Sequence, residues 1–187
     1  RSQLRPGMLR GRPVAIGTAT DPYQPAELIF GITRSLLEVL VAVPDLDLSI
    51  TTRSPLVLRD LPLLQQFRRI RVNVTLTTLL PPVARILEGR SPSPYRRLHT
   101  IRRLTEAGIP TSVFVMPIVP GVTDHPEDLY RLLRAARRAG AGDAAGGLLR
   151  LEPGARRAFQ PILERNFPHL IELYRRIYDD APNGAAA

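Results

Sequence analysis

One order of residues recurs along this chain: a short apolar run, a polar turn, and an amphipathic stretch opened by proline. Its clearest instance is Val14–Glu27 (VAIGTATDPYQPAE). Val14-Ala15-Ile16 has the character of a buried parallel strand, Gly17–Tyr23 is a small polar turn, and Pro25 suits the first turn of a helix, where its missing N–H has no partner to lose. Such a loop stands at the C-terminal end of a parallel strand, the place where α/β proteins bind ligands.

The pattern predicts five strands, at Val14–Thr20, Asp47–Thr52, Arg71–Thr78, Thr111–Val119 and Gly146–Leu151. A helix from Pro25 to Val43 follows the first, with Leu28, Ile32, Leu36, Val39 and Leu40 on its inward face. Ser54 with Pro55 reads as a cap and first helical position, leading to a helix over 60–69. Ser93 opens a helix over 94–107 that Gly108 closes, and Pro126 opens another ending at Gly140. Strands alternating with helices in one chain indicate the α/β class with a parallel sheet. In the third strand Val72, Val74 and Leu76 alternate with Asn73, Thr75 and Thr77. A parallel sheet covered on both faces is apolar throughout, so this polar face lines water or a ligand; the alternative is a half-exposed antiparallel strand.

Composition narrows the chemistry. The 187 residues contain no Cys, which excludes disulfides and thiolate metal ligation by these residues, and only three His, widely separated. The net charge is +9 and all 26 basic residues are Arg, a bias read as compositional habit beside the many Ala, Gly and Pro. Arg96, Arg97, Arg102 and Arg103 are read as a solvated helix face. No apolar run is long enough to span a bilayer and no signal peptide is visible, so a cytoplasmic protein without membrane partners is expected. The first residue is Arg rather than Met, and an upstream segment is expected.

If the sheet curls, the strand ends bring one set of groups to a common mouth. These are Thr18, Thr20, Asp21, Tyr23 and Gln24; Thr52, Arg53 and Ser54; Thr75, Thr77 and Thr78; Met116 and Pro117; and Arg150 and Glu152. The set is rich in hydroxyls and lacks a His base, a carboxylate pair or a Ser–His dyad. It suits a polar cofactor that brings its own chemistry. Asp21 is read either as orienting a ribose or amine or as an Asx turn before Pro22. Arg53 is read either as a carboxylate or phosphate partner or as a rim ion pair. Glu88 and Arg90 are read as a structural ion pair. No dinucleotide fingerprint or P-loop is present.

The segments GTATDPYQPAE, TRSPLVLRDLPLL, VNVTLTTL, LEGRSPSPYRRLHTIRRLTEAGIP and FVMPIVPGVTD, in this order between Arg12 and Leu151, resemble radical S-adenosylmethionine proteins of the spore photoproduct lyase-like, or DNA repair photolyase-like, group. The resemblance implies a partial (β/α) barrel over 1–151, lacking its first strand and cluster loop, then C-terminal helices over 152–180 and a disordered tail over 181–187. It implies a 4Fe–4S cluster held by Cys-x3-Cys-x2-Cys, S-adenosylmethionine, an electron donor such as flavodoxin or ferredoxin, and a 5′-deoxyadenosyl radical that abstracts hydrogen from an unidentified substrate, nucleic acid among the candidates. By the same resemblance Thr18–Asp21 lies near the cofactor's amino group, Arg53 reaches its carboxylate and Thr75 lies near its ribose. The cluster cysteines are absent and would lie upstream of Arg1, so this fragment alone is expected to be inactive. Thr18 stands where the lyase has its cysteine hydrogen donor, and Leu80 where relatives have Asp. Two other classes stand beside this one. The first is a non-catalytic nucleic-acid-binding α/β module using the Arg-rich helices. The second is a metal-free barrel aldolase or hydrolase; the lack of any Lys argues against an aldolase of the Schiff-base type.

Overall fold

A computed structural model describes residues 9–179. The tail at 181–187 and the residues before Leu9 lie outside the described part. Five strands form one sheet in sequential order, β1 (Pro13–Ile16), β2 (Asp47–Thr52), β3 (Arg69–Thr75), β4 (Thr111–Ile118) and β5 (Asp143–Leu148), every neighbouring pair parallel. The sheet does not close on itself. It is the α/β arrangement with parallel strands that the alternating pattern predicts, in the form of a partial barrel.

Eight α-helices occupy the connections among the described residues: α1 (Glu27–Phe30), α2 (Ile32–Leu40), α3 (Leu61–Leu64), α4 (Pro81–Glu88), α5 (Pro94–Glu106), α6 (Pro126–Arg138), α7 (Pro153–Asn166) and α8 (Ile171–Tyr178). Ser54 caps a 3-10 turn (Pro55–Asp60), its Oγ accepting from Leu56 N. Side chains alternate across each strand. Leu48 and Ile50, Val72 and Val74, and Val113 and Val115 pack under Leu37, Leu40, Leu64, Ile101, Leu104 and Leu132 in one buried core. The opposite, inner face carries Ser49 and Thr51, Asn73 and Thr75, and Ser112 and Phe114, aligned by the strand register. The polar residues of β3 therefore face the interior of the partial barrel, not an antiparallel neighbour.

Several elements differ from the sequence reading. The third strand runs Arg69–Thr75, so Thr77 and Thr78 lie beyond it, and of the helix read over 60–69 only Leu61–Leu64 is α-helical, after a 3-10 turn. The first strand stops at Ile16 because Gly17 turns the chain at φ +91°. The helix after it breaks at Gly31, φ +58°, and buries Thr33, Leu37 and Leu40, leaving Leu28, Ile32 and Val39 exposed. The last strand lies earlier than expected, fixed by its pairing with β4 rather than by its own Ala- and Gly-rich sequence. The β4–β5 register also shifts between Val115 and Ile118, around Pro117, which has no N–H for the ladder. Val119, Leu163, Leu170 and Tyr174 form a second cluster where α7 and α8 pack.

Candidate functional site

The loop after β1 is the centre of the site, and its shape starts with Gly17. A Cβ there would lie 2.2 Å from the Thr51 carbonyl oxygen, so only glycine lets this loop cross so close to β2. Asp21 then fastens the loop. Its carboxylate accepts from Tyr23 N (2.9 Å), Thr52 Oγ1 (2.7 Å) and Arg53 N (2.8 Å). The first bond is the Asx turn; the other two tie the loop to the end of β2. Thr52 Oγ1 in turn accepts from Ser54 N at 2.9 Å.

Behind the loop sits a cluster of charges. Glu27, buried, accepts from Thr33 N (2.9 Å) and Arg34 N (3.1 Å), capping α2, and from the Arg59 guanidinium (2.9 Å). Arg59 and Arg34 both donate to Asp60, which is fully buried. Burial pushes the Glu27 carboxyl up, but the bonds from Thr33 N, Arg59 and Arg34 N outweigh it and hold the group below its ordinary range. Tyr23 packs against this cluster with its hydroxyl buried and without a hydrogen-bond partner. Burial, and then the Asp60 charge, raise that hydroxyl far above its ordinary range, so Tyr23 is neutral and offers no base.

A third support lies under β3. Arg97, 1% exposed, donates to the Thr75 carbonyl (3.1 Å), the Pro92 carbonyl (2.9 Å) and the Glu88 carboxylate. Arg97 therefore belongs to the interior and not to the solvated face expected for it. Glu88 also accepts from Thr77 Oγ1 at 2.7 Å and lies 3.8 Å from Arg53 Nε. Its partners are Arg97 and Arg53, not Arg90.

Two cavities result. One, of about 400 Å³, opens on the inner face and is lined by Gly17–Asp21, Thr51–Arg53, Thr75, Phe114 and Met116. The other, of about 660 Å³, lies between the loops that follow β1 and β2 and the connection between α4 and α5, with Tyr23, Gln24 and Ser54 in its wall. Asp21 and Arg53 line both. Of the residues named from sequence, Thr18, Thr20, Asp21, Thr52, Arg53, Thr75 and Met116 thus share the inner cavity. Thr77 instead serves Glu88, Thr78 Oγ1 accepts from Leu80 N, and Glu152 stands at the start of α7. Pro117 and Arg150 line neither of these two cavities.

Residues 9–133 match the Radical SAM superfamily. The chain belongs to that superfamily. An uncharacterized protein of Mycobacterium tuberculosis is 35% identical over 185 residues, covering 97% of this chain and 54% of the relative. One from Methanocaldococcus jannaschii is 28% identical over 176 residues, covering 91% of this chain and 64% of the relative. The chain thus spans about half the length of the mycobacterial relatives it matches. Among solved structures, a spore photoproduct lyase with bound AdoMet and dinucleoside spore photoproduct superposes with TM-score 0.61 at 19% identity, over 85% of this chain and 46% of the other. A radical S-adenosylmethionine methyltransferase, TsrM from Kitasatospora setae, gives TM-score 0.51 at 22% identity over 67% of this chain and 26% of the other. At these identities both likenesses concern the fold.

Membership in the superfamily implies a 4Fe–4S cluster and S-adenosylmethionine. The residues here meet the two groups differently. The chain has no cysteine, and no group of three His, Cys, Asp or Glu side chains suited to a metal occurs among the described residues; it offers the cluster no ligands. The inner cavity does fit S-adenosylmethionine. It presents threonine hydroxyls, a thioether and an aromatic ring, and the Nε of Arg53 is buried beside it without a hydrogen-bond partner. On the same inner face, Asn73 donates to Ser49 and Thr51 while its Oδ1 is buried and unpaired. No helix among the described residues is long and apolar enough to cross a membrane.

The sequence reading missed Glu27, Arg34, Arg59, Asp60 and Arg97 as supports of the site. A signal existed for two of them. Arg59-Asp60 interrupts an otherwise apolar run, Leu56–Leu64, and charges in such a setting are rarely buried unless paired.

Proposed function

We propose that this chain is the cofactor-holding wall of a radical S-adenosylmethionine enzyme, with S-adenosylmethionine in the inner cavity and the cluster ligands supplied from outside these residues. The observation that carries this reading is the 400 Å³ hydroxyl-lined cavity bounded by Arg53. Cluster and S-adenosylmethionine, when bound, supply a 5′-deoxyadenosyl radical for hydrogen abstraction from the substrate. The chain's own residues bind and orient. Arg53 offers a guanidinium to the cofactor carboxylate, Thr18 and Thr20 take hydrogen bonds from its amino group, and Thr75 serves a ribose hydroxyl. Asp21 holds the Arg53 backbone in place, Gly17 allows the loop its path, and Phe114 and Met116 give the cavity an apolar side. The natural division of the chain is the partial barrel to residue 151, with the helices beyond it packed on that barrel.

The test is S-adenosylmethionine binding by equilibrium dialysis, which needs neither cluster nor turnover. Arg53→Ala is expected to weaken binding at least tenfold, and Thr75→Val several-fold. Equal affinity in the parent chain and both variants would refute the assignment.

A second reading, polyanion binding, has its own observation. A groove of about 310 Å³ between α5 and α6 is lined by Arg102, Arg131, Arg134 and Arg138. Among the described residues only Arg131 of these has a carboxylate partner, Glu127 at 3.1 Å. This reading requires oligonucleotide affinity that falls steeply with salt and is reduced by Arg102→Ala with Arg134→Ala.

A further inference from the structure

The 660 Å³ cleft between the loops after β1 and β2 and the α4–α5 connection falls within the size range of small-molecule sites, and its charges do not cancel. Two carboxylates stand in its wall, Asp21 and Glu88. Asp21 already accepts three hydrogen bonds, and Glu88 already accepts from Thr77 and the buried Arg97. Arg53, Arg90 and Arg96 line the same cleft. Arg90 and Arg96 are exposed and have no carboxylate within 4.0 Å among the described residues, while Arg53 has only the occupied Glu88, 3.8 Å away. The cleft therefore holds a surplus of guanidinium forks beside the hydroxyls of Ser54 and Ser91. The same wall carries apolar residues, and Leu28 among them is 67% exposed, a large cost in hydrated apolar area unless something covers it.

We propose that this cleft binds a phosphoryl group carried on an apolar or aromatic body. A carboxylate has two oxygens and satisfies one guanidinium fork; a phosphate has enough oxygens to engage more than one. Because Asp21 and Arg53 belong to both cavities, a molecule in the cleft lies next to the one in the inner cavity and is assigned as the substrate. That last assignment rests on the proposed function; phosphate binding does not.

The experiment titrates the chain with inorganic phosphate at constant ionic strength and reads thermal stability. The parent is expected to show a saturable rise that chloride does not give. Arg90→Ala with Arg96→Ala, both on the surface, is expected to weaken it at least tenfold. Arg165→Ala with Arg176→Ala removes the same charge from exposed positions on α7 and α8 and should leave it intact. No saturable rise in the parent, or an equal loss in both double variants, overturns the proposal. Competition then identifies the source. Displacement by a nucleoside monophosphate assigns a free phosphate ester, displacement by a short single-stranded oligonucleotide alone assigns a strand, and displacement by neither overturns the proposal. S-adenosylmethionine affinity, measured separately on Arg90→Ala with Arg96→Ala, should be unchanged, so failure here is distinguishable from failure of the cofactor assignment.

Discussion

Asp21→Asn should damage this site out of proportion to the single heavy atom it exchanges. In the parent, one oxygen accepts from Tyr23 N and Thr52 Oγ1, and the other from Arg53 N. Asparagine keeps one acceptor oxygen. Placed to keep the first two bonds, it turns its NH₂ toward the Arg53 N–H, donor against donor; placed the other way, it loses two donors instead of one. The cheaper arrangement still loses a charge-assisted bond and leaves a backbone N–H unpaired, each worth about 1–3 kcal/mol, and reduces the two remaining bonds to neutral ones. Because Asp21 is half-buried, water recovers part of this, and the net cost is about 2–3 kcal/mol. With a urea slope of roughly 1–3 kcal/mol/M, the unfolding midpoint should fall by about 1 M at unchanged slope. Far-UV circular dichroism through a urea titration reads this directly. A midpoint within about 0.2 M of the parent would show that Asp21 does not hold the loop, and the argument for a built cavity would fail with it.

Gly17→Ala should cost about 3 kcal/mol or more, from the positive φ and the 2.2 Å approach to the Thr51 oxygen, lowering Tm by roughly 6–12 °C in calorimetry; a change under about 2 °C would contradict it. Arg97→Met strips the nearly buried Glu88 of its main cation, leaving only Thr77 and Arg53 at 3.8 Å, and should cost about 3 kcal/mol, partly recovered in the double variant with Glu88→Gln. Additive single effects in urea unfolding would deny the coupling. Glu27→Gln tests the charge cluster through pH. The folded-state pKa of Glu27 lies below its ordinary value, so its stabilisation is complete above the unfolded pKa and lost as pH falls through the folded one. The Tm gap between parent and variant should be full at neutral pH and close in acid; a gap that widens in acid has the wrong sign.

Much of the scaffold is legible in the residues because local chemistry and tertiary demand agree there. Asp47–Thr52 is a strand with its cap at Ser54, and α5 runs from its Ser93 cap to Gly108 at φ +79°. Arg97 was misread within that helix: it lies on the buried stripe, four residues before Ile101 and seven before Leu104. The charge type concealed it. The helix after the first loop was not legible, because its break at Gly31 depends on Glu27 capping α2 from outside that helix, and Glu27 is held by Arg59 from another element. The limits of β5 were hidden for a similar reason: a run of Ala and Gly carries little strand preference, and its position follows from β4. Within the site, the hydroxyl-rich loop could be read in advance. The second cavity could not, since it requires three loops to meet.

The disposition of charge around the two cavities bears on what the site can do. Every carboxylate near them is engaged: Asp21 by two backbone N–H groups and Thr52, Glu27 by the α2 terminus and Arg59, Asp60 by two guanidinium groups, and Glu88 by Thr77 and Arg97. Tyr23 is held neutral. Each of these acids thus spends hydrogen-bonding capacity on holding the protein's own loops together. Besides the engaged carboxylates of Asp21 and Glu88, the groups facing the cavities are hydroxyls, the Gln24 amide, guanidinium forks and apolar side chains. Such a set is suited to binding and orienting a ligand. Acids placed this way tie the loops together, and a fixed loop is what the proposed cofactor-holding role would demand.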